Sequence, residues 1–323
     1  MQLDAFENIM QYMKNIRFSY YLCYDTISLV IYQDGEGKQM KKSYLKYFTA
    51  LFLFGSNGIV ASMIHLTSYE IVLLRTLIGS SLLIGIFFLE RGKLTFYKNW
   101  KQFFFLCVSG IAMGTSWMFL YEAYAQIGVS ISSLLYYCGP VIVMVLSPIL
   151  FKEKLTSAKV IGFAAVLCGI FLVNGNAFDG SGNLFGIFCG IMSAVMYSFM
   201  VIFNKKAKNI TGLENSMLQL FISFLTVAVF VGIRQGYAIG IDSASILPIF
   251  VLGLINTGIG CYFYFSSIGN LPVQTVAICG YLEPLSAVVF SFVFLKEAML
   301  PVQIIGAVLI IGGAMFGECY KKS

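Results

Sequence analysis

The residues best placed to do chemistry are ionisable side chains inside long apolar segments. Glu283 lies about ten residues into the apolar segment 273–295, directly before Pro284. A charge at the centre of a membrane helix costs about 2.5 to 3.5 kcal/mol, so such groups are rare and mark functional sites. The proline frees backbone groups nearby for polar contacts. The Glu283 carboxylate could bind an ammonium group or exchange a proton, and the alternative is a structural carboxyl bonded to neighbouring backbone.

Two further charges, Glu122 and Arg75, lie nearer the ends of their apolar segments. Glu122 either lines a cavity or reaches the membrane interface. Arg75 either snorkels, with its head group kept in water, or faces the same cavity. In the second case it could pair with Glu122 or hold an anionic group.

Aromatic and amide side chains accompany these charges. A pocket for organic molecules needs aromatic walls with a few polar anchors, and Trp117, Tyr137, Tyr281 and Asn57 are the candidates. Aromatic core packing is the alternative for the tyrosines. Hydrogen bonding between helices is the alternative for Asn57.

These residues need a scaffold, and the composition indicates a lipid bilayer. The chain is 59% hydrophobic and only 11% charged, whereas soluble domains are about 25% charged. Apolar runs long enough to cross a membrane recur along it, and helices are the structure that satisfies the backbone of such runs. We expect an all-α integral membrane protein with ten transmembrane helices, at residues 46–65, 71–89, 103–125, 129–151, 158–175, 183–203, 214–233, 246–268, 273–295 and 302–319.

The second half of the chain repeats the first. Residues 114–169 and 258–313 align without gaps and share 12 identities in 56 pairs, against roughly four expected by chance from such a composition. One difference matters chemically, because Gly139 precedes the proline in the first copy and Glu283 in the second. We divide the chain into an extension that is peripheral or reflects an over-called start, a first repeat and a second, inverted repeat, at residues 1–39, 40–175 and 176–323.

Positive charge sets the predicted orientation. With ten spans and both termini in the cytoplasm, 18 of the 21 Lys and Arg residues fall on the cytoplasmic side, as the positive-inside rule requires. Five spans in each repeat then make the second repeat inverted, with Lys152 and Glu153 inside and their counterparts Lys296 and Glu297 outside. Inverted repeats are characteristic of secondary transporters that bind solute near the midplane. We expect a multi-pass protein of the cytoplasmic membrane.

Other classes of function find little support. The only histidine is His65, so a multi-histidine metal site is impossible. The sequence contains no Walker-type G-x-x-x-x-G-K-[ST] motif, and we expect no enzymatic activity and no cofactor. Six of the eight cysteines lie inside predicted spans without C-x-x-C spacing, and we interpret these six as small buried hydrophobes. The net charge of +6 reflects topology rather than nucleic-acid binding.

Several segments together carry a resemblance to a known family. They are FGSNGIVAS, LLRTLIGSSLL, YCGPVIVMVLSPILFKEKL, MSAVMYSFMVIFNKK and YLEPLSAVVFSFVFLKEAM. Over residues 41–319 the chain resembles the EamA-type transporters of the drug/metabolite transporter superfamily. The resemblance implies an inner-membrane carrier of small organic solutes, often amino acids, with a cavity lined by the first, third, fourth, sixth, eighth and ninth spans. It supports Glu283, Trp117 and Tyr137 as cavity residues, whereas Glu122 stands where such transporters commonly have a neutral or apolar residue.

The prediction is a carrier that alternates between inward-open and outward-open states and exports an amino-acid-like or other small polar-aromatic metabolite. Efflux of hydrophobic or cationic drugs is the alternative, and a passive channel or receptor is a third. The carboxyls Glu283 and Glu122 motivate a hypothesis of proton coupling. The expected partners are a small-molecule solute and the lipid bilayer, and the sequence leaves monomer and homodimer as alternatives.

Overall fold

The computed structural model of the chain describes residues 37–127, 129–174, 183–237, 239–295 and 301–319. All regular structure in these ranges is helical. Most of the N-terminal extension, together with Lys296 and Glu297, lies outside the described residues. The helices are α1 (Gly37–Gly55), α2 (Asn57–Ser62), α3 (Ser68–Leu89), a 3₁₀ turn (Phe96–Lys98), α4 (Trp100–Ile127), α5 (Val129–Tyr136), α6 (Cys138–Phe151), α7 (Ser157–Asn174), α8 (Leu184–Lys206), α9 (Gly212–Arg234), α10 (Ser243–Phe250), a π-helix (Val251–Ile259), α11 (Gly260–Ile268), α12 (Val273–Cys279), α13 (Leu282–Leu295) and α14 (Pro301–Cys319).

The helices identify a multi-pass membrane protein. Five helical stretches among the described residues are long and apolar enough to cross a bilayer. Several of the other predicted spans are divided into shorter helices, because the regular α-helical hydrogen-bond pattern is interrupted between α1 and α2, between α5 and α6, and between α12 and α13. The five long stretches are Ser68–Leu89, Trp100–Tyr124, Leu184–Lys206, Gly212–Arg234 and Ser243–Ile268.

The helices α7 and α14 approach each other through glycines of the repeat. A Cβ atom at Gly169 would lie 2.6 Å from the carbonyl oxygen of Gly306, and one at Gly313 would lie 2.5 Å from that of Gly162. Gly162 and Gly306 are counterparts in the repeat, as are Gly169 and Gly313. The two contacts are therefore reciprocal, which is the pattern that a two-fold relation produces, and small residues allow this close approach in membranes.

A second pair of counterparts meets directly. The Tyr281 hydroxyl donates a hydrogen bond to the Tyr137 carbonyl at 2.6 Å, across 144 residues of sequence. The two rings are 6.4 Å apart, and Tyr281 is fully buried. Counterpart residues touch each other only near the symmetry axis, so this pair lies where the two repeats meet.

One end of the bundle, which we call the lysine-rich end, contains the connections 90–99, 152–156, 207–211 and 269–272. There the buried Glu214, in the first turn of α9, accepts a hydrogen bond from the backbone N–H of Phe96 at 2.9 Å. This carboxylate joins the α3–α4 connection to α9.

The opposite end, which we call the far end, contains the connection 63–67 and residues 235–237 and 239–242. His65 Nδ1 lies 3.1 Å from the Asp242 carboxylate, and its backbone N–H donates to the Ser245 hydroxyl at 2.9 Å. Asp242 caps α10 by accepting from the Ser245 N–H at 3.2 Å. Hydrogen bonds from Ser245, with a further contribution from His65, lower the pKa of the Asp242 carboxyl.

The glycine contacts give a prediction with a matched control on one helix. Gly313→Ala should lower the free energy of unfolding by about 1 to 3 kcal/mol, because its methyl group meets the backbone of α7. Gly312→Ala should have little effect, since a Cβ there meets nothing within 4 Å. Thermal unfolding in detergent, followed by size-exclusion chromatography, measures both. Equal midpoints for the two variants would contradict the proposed close packing.

Candidate functional site

A small cavity lies inside the bundle. Its volume is about 50 Å³, and a single water needs about 10 to 15 Å³ on this measure. It therefore has room for a few waters, whereas sites for organic ligands measure about 300 to 1,000 Å³. The lining residues are Phe54, Asn57, Met113, Ser116, Trp117, Tyr136, Tyr197, Met200, Cys261, Tyr264, Phe265 and Glu283.

The cavity walls are largely aromatic. The Tyr136 ring meets the Tyr197 ring edge-on at 5.3 Å, and the Tyr197 and Tyr264 hydroxyls are 3.3 Å apart. Tyr47 supports this wall from behind, with its ring 5.5 Å from that of Tyr264 and its hydroxyl bonded to the Val276 carbonyl at 2.7 Å. The wall offers flat apolar faces with hydroxyl groups at their edges, which suits an organic group or a cation.

Glu283 supplies the charge of the cavity. It lies in the first turn of α13, immediately after the break that follows α12, where the free N–H groups of a helix favour a negative charge. A structural carboxyl would be bonded to neighbouring backbone. Among the described residues, however, no group donates a hydrogen bond to the Glu283 carboxylate. The carboxylate is thus free to bind something that enters the cavity.

Arg75 lies directly behind the cavity wall. Its guanidinium carbon is 4.6 Å from the centre of the Trp117 ring, and its Nε donates to the Thr257 hydroxyl at 2.9 Å. Only 3% of the side chain is exposed, so the snorkelling interpretation is wrong, because snorkelling would keep the head group in water. Nη2 is buried without a hydrogen-bond partner in the described part of the chain. A buried charged donor without a hydrogen-bond partner raises the free energy of the folded state unless an acceptor pairs with it.

Two irregular elements, the break between α1 and α2 and the π-helix, position the side chains around the cavity. At the break between α1 and α2, the Asn256 amide donates to the Leu53 carbonyl at 3.0 Å and to the Asn57 side chain at 3.1 Å. Asn256 and Thr257 both lie on the π-helix Val251–Ile259. Short π segments are rare and occur frequently at functional sites. This one anchors the first span on one side and Arg75 on the other.

Glu122 does not line the cavity. Its carboxylate accepts hydrogen bonds from the Tyr69 hydroxyl and from the Gln126 amide, the latter at 3.0 Å. Arg234 Nη2 lies 3.8 Å away and its guanidinium covers the Tyr69 ring. These residues are at the far end of the bundle, so the interface interpretation of Glu122 fits the structure better than the cavity interpretation.

Comparison with known proteins decides the family. The model of the EamA-like transporter family matches residues 41–175 and 184–316. The chain belongs to the EamA-like transporter family. Two proteins of Bacillus subtilis, the uncharacterized transporters YxxF and YetK, are each 26% identical to it, over 288 and 305 residues. The matches cover 85% and 88% of this chain and 89% of each relative.

A solved structure agrees in fold. A crystal structure superposes with a TM-score of 0.74, covering 84% of this chain and 96% of that chain at 20% sequence identity. At this identity the likeness concerns the fold alone. The family and the relatives make this EamA-like protein a membrane transporter, with a solute and a lipid environment as its partners.

The structure brings together some of the residues expected in this transporter's cavity. Glu283, Trp117 and Asn57 line it, and Arg75 contacts the lining from behind. Tyr137 and Tyr281 lie between the repeats, and Glu122 lies at the far end. The lining helices α1, α2, α4, α5, α8, α11 and α13 belong to the first, third, fourth, sixth, eighth and ninth predicted spans.

Sequence reasoning did not identify Tyr197, Tyr264 or Thr257 as parts of the site. Tyr197 occurs within the segment MSAVMYSFMVIFNKK, but a uniformly apolar helix gives no indication of which face is turned inward. Thr257 lies on a π-helix, whose altered register no feature of the sequence announces. A helical-wheel projection could have indicated the two tyrosines, if the glycines that allow close helix packing had been used to define the inward face of each helix.

The Arg75 anchor gives the second prediction. Thr257→Val should lower the free energy of unfolding by about 1 to 3 kcal/mol, because it removes the hydroxyl that accepts from the buried guanidinium. Thr257→Ser keeps that hydroxyl and should remain close to wild type. Thermal unfolding midpoints of the purified variants provide the comparison. A valine variant as stable as the serine variant would show that this bond does not support Arg75.

Proposed function

We propose that this transporter exports small organic metabolites such as amino acids across the cytoplasmic membrane by alternating access. The observation that carries the proposal is the Glu283 carboxylate, which faces an aromatic-walled cavity without a hydrogen-bond donor among the described residues. The cavity lies among helices of both repeats. It is too small for an organic solute in this state, which is consistent with an occluded or empty form of a carrier that must rearrange to bind.

The proposed topology has ten spans with both termini in the cytoplasm. Each helix pair separated by a break, such as α1 with α2 or α12 with α13, then forms one discontinuous span. Discontinuous helices are the usual way in which secondary transporters build binding sites at mid-depth. The lysine-rich end faces the cytoplasm in this arrangement, in agreement with the positive-inside rule. The inverted relation of the repeats follows from the odd number of spans in each.

The charges around the cavity favour a zwitterionic solute. Glu283 would bind the ammonium group, and Arg75, whose Nη2 has no described partner, would hold a carboxylate. The Trp117 ring covers the guanidinium, so Trp117 must move as the cavity expands. The tyrosine wall would receive the apolar part of the solute. An α-amino acid with an aromatic or apolar side chain meets all of these requirements.

Efflux of hydrophobic cations is the second candidate function. A carboxylate surrounded by Tyr136, Tyr197 and Tyr264 offers charge attraction together with cation–π contacts. Arg75 opposes it, because a second positive charge beside the cavity disfavours a ligand that is only cationic. A drug-susceptibility screen of an overexpressing strain separates the candidates, since export of metabolites alone leaves drug tolerance unchanged.

Energy coupling is proposed to use protons at Glu283. A carboxyl that binds either a proton or a substrate ammonium group, but not both, couples the two movements in opposite directions. No other carboxylate lines the cavity among the described residues. The alternative functions, a passive channel and a receptor, do not require that a proton and a substrate compete for one carboxyl.

Transport by reconstituted protein tests the proposal. Labelled phenylalanine uptake into proteoliposomes should respond to an imposed pH gradient in wild type. Glu283→Gln should reduce transport by at least about tenfold and remove the response to the gradient, because the cavity charge that pairs with the ammonium group is lost. Glu90→Gln, the same change at an exposed glutamate, is the control. Wild-type uptake that ignores the gradient would show that proton coupling is wrong.

A further inference from the structure

The connection between α11 and α12 is held by a carboxylate from the other repeat. The two oxygens of the Glu153 carboxylate accept hydrogen bonds from the backbone N–H groups of Val273, at 2.8 Å, and Gln274, at 3.1 Å. These are free N–H groups of the first turn of α12, which a negative charge satisfies best. Glu153 follows the fourth span, whereas α12 begins the ninth. The contact therefore joins the first repeat to the second.

A cation holds the other side of the same connection. Lys205, near the end of α8, donates to the carbonyl oxygens of Ile268 at 2.8 Å, of Gly269 at 3.3 Å and of Leu271. These carbonyls form the C-terminal end of α11, where a positive charge is favourable. Each end of the connection 269–272 thus meets the charge that complements it.

The clamped residues close the bundle at this end. Leu271 is 1% exposed and Val273 and Gln274 are fully buried, although they lie at a connection between two helices. The Gln274 amide also donates to the Ser147 hydroxyl at 3.0 Å. Leu271 and Val273 belong to the same buried cluster as the cavity residue Tyr264. The connection is thus packed into the same buried core that borders the cavity.

We propose that Glu153 and Lys205 form a clamp that closes the lysine-rich end of the cavity, and that release of the Glu153 carboxylate from α12 opens it. The occluded state and the state open at the lysine-rich end would differ in whether this clamp is formed. The proposal rests on the proposed alternating access. Buried N–H groups of Val273 and Gln274 cannot stay unpaired. Release of the carboxylate is therefore tied to the entry of water, which makes opening a two-state event.

A natural cysteine reports on this opening. Cys261 lines the cavity and is 1% exposed. Membrane vesicles containing the full-length protein are treated with a membrane-impermeant, positively charged methanethiosulfonate on the face that carries the lysine-rich end. Mass spectrometry then follows the modified fraction of Cys261 over time. Glu153→Gln should raise this rate by about tenfold, because the charged acceptor of two backbone donors is lost.

Matched variants separate opening from unfolding. Glu90→Gln makes the same change at an exposed glutamate of this end and should leave the rate at the wild-type value. Cys189, also 1% exposed but absent from the cavity lining, should stay unmodified. If Glu153→Gln modifies Cys189 as well, Lys205→Met decides by the same measurement, with the same increase expected at Cys261.

The proposal is overturned if Cys261 reacts no faster in the deciding variant than in Glu90→Gln. It is overturned equally if the increase is seen only from the opposite face. The labelling uses no solute, so failure of the clamp and failure of the proposed substrate are distinguishable. Transport of phenylalanine with no change in Cys261 labelling would reject the clamp alone.

Discussion

Lipid offers no partner to a backbone N–H or carbonyl group, and this constraint decides where the chain can leave helical geometry. The breaks between α1 and α2, between α5 and α6, and between α12 and α13 all lie inside the bundle. At the first two, a side chain from a distant segment bonds to the backbone. Asn256 donates to the Leu53 carbonyl, and Tyr281 donates to the Tyr137 carbonyl. The polar side chains of the interior are thus explained first by the breaks that they stabilise.

The cavity lies beside these breaks, and its two opposite charges, Glu283 and Arg75, form no ion pair with each other or with another described residue. Glu283 follows one break directly, and Arg75 is anchored by the π-helix that stabilises another. Leaving either group unpaired costs free energy that a well-packed apolar side chain would not. A solute carrying the complementary charges would offset that cost during binding. This is the physical reason for proposing a zwitterion rather than a neutral metabolite.

Sequence patterns predicted the elements better than their interruptions. Hydropathy located the helices, and the repeat located the counterparts Gly162 and Gly306, but reciprocal contact with Gly169 and Gly313 required coordinates. The break after Gly55 has no proline beside it, and Pro248, three residues before the π-helix, does not by itself indicate the altered register. They arise from contacts between distant segments, which a local pattern does not contain.

For the site residues, the sequence predicts how far along a span each residue lies, but it does not predict which way the side chain points. Sequence position predicts that Glu283 and Trp117 lie well inside their spans, and both line the cavity. Depth alone could not tell whether Arg75 snorkels, because the answer depends on Thr257, 182 residues away. It could not place Glu122 either, whose partners Tyr69 and Arg234 lie on other helices.

The central claim is that one solute bridges Glu283 and Arg75, and competition between a zwitterion and its cationic amide tests it most directly. Phenylalanine and phenylalaninamide differ only in the carboxylate that Arg75 would bind. We predict that wild-type transport of labelled phenylalanine is inhibited by unlabelled phenylalanine at least about tenfold more strongly than by the amide. Arg75→Gln should lose that preference, whereas Arg234→Gln at the far end should keep it. Equal inhibition by both compounds in wild type would contradict the account.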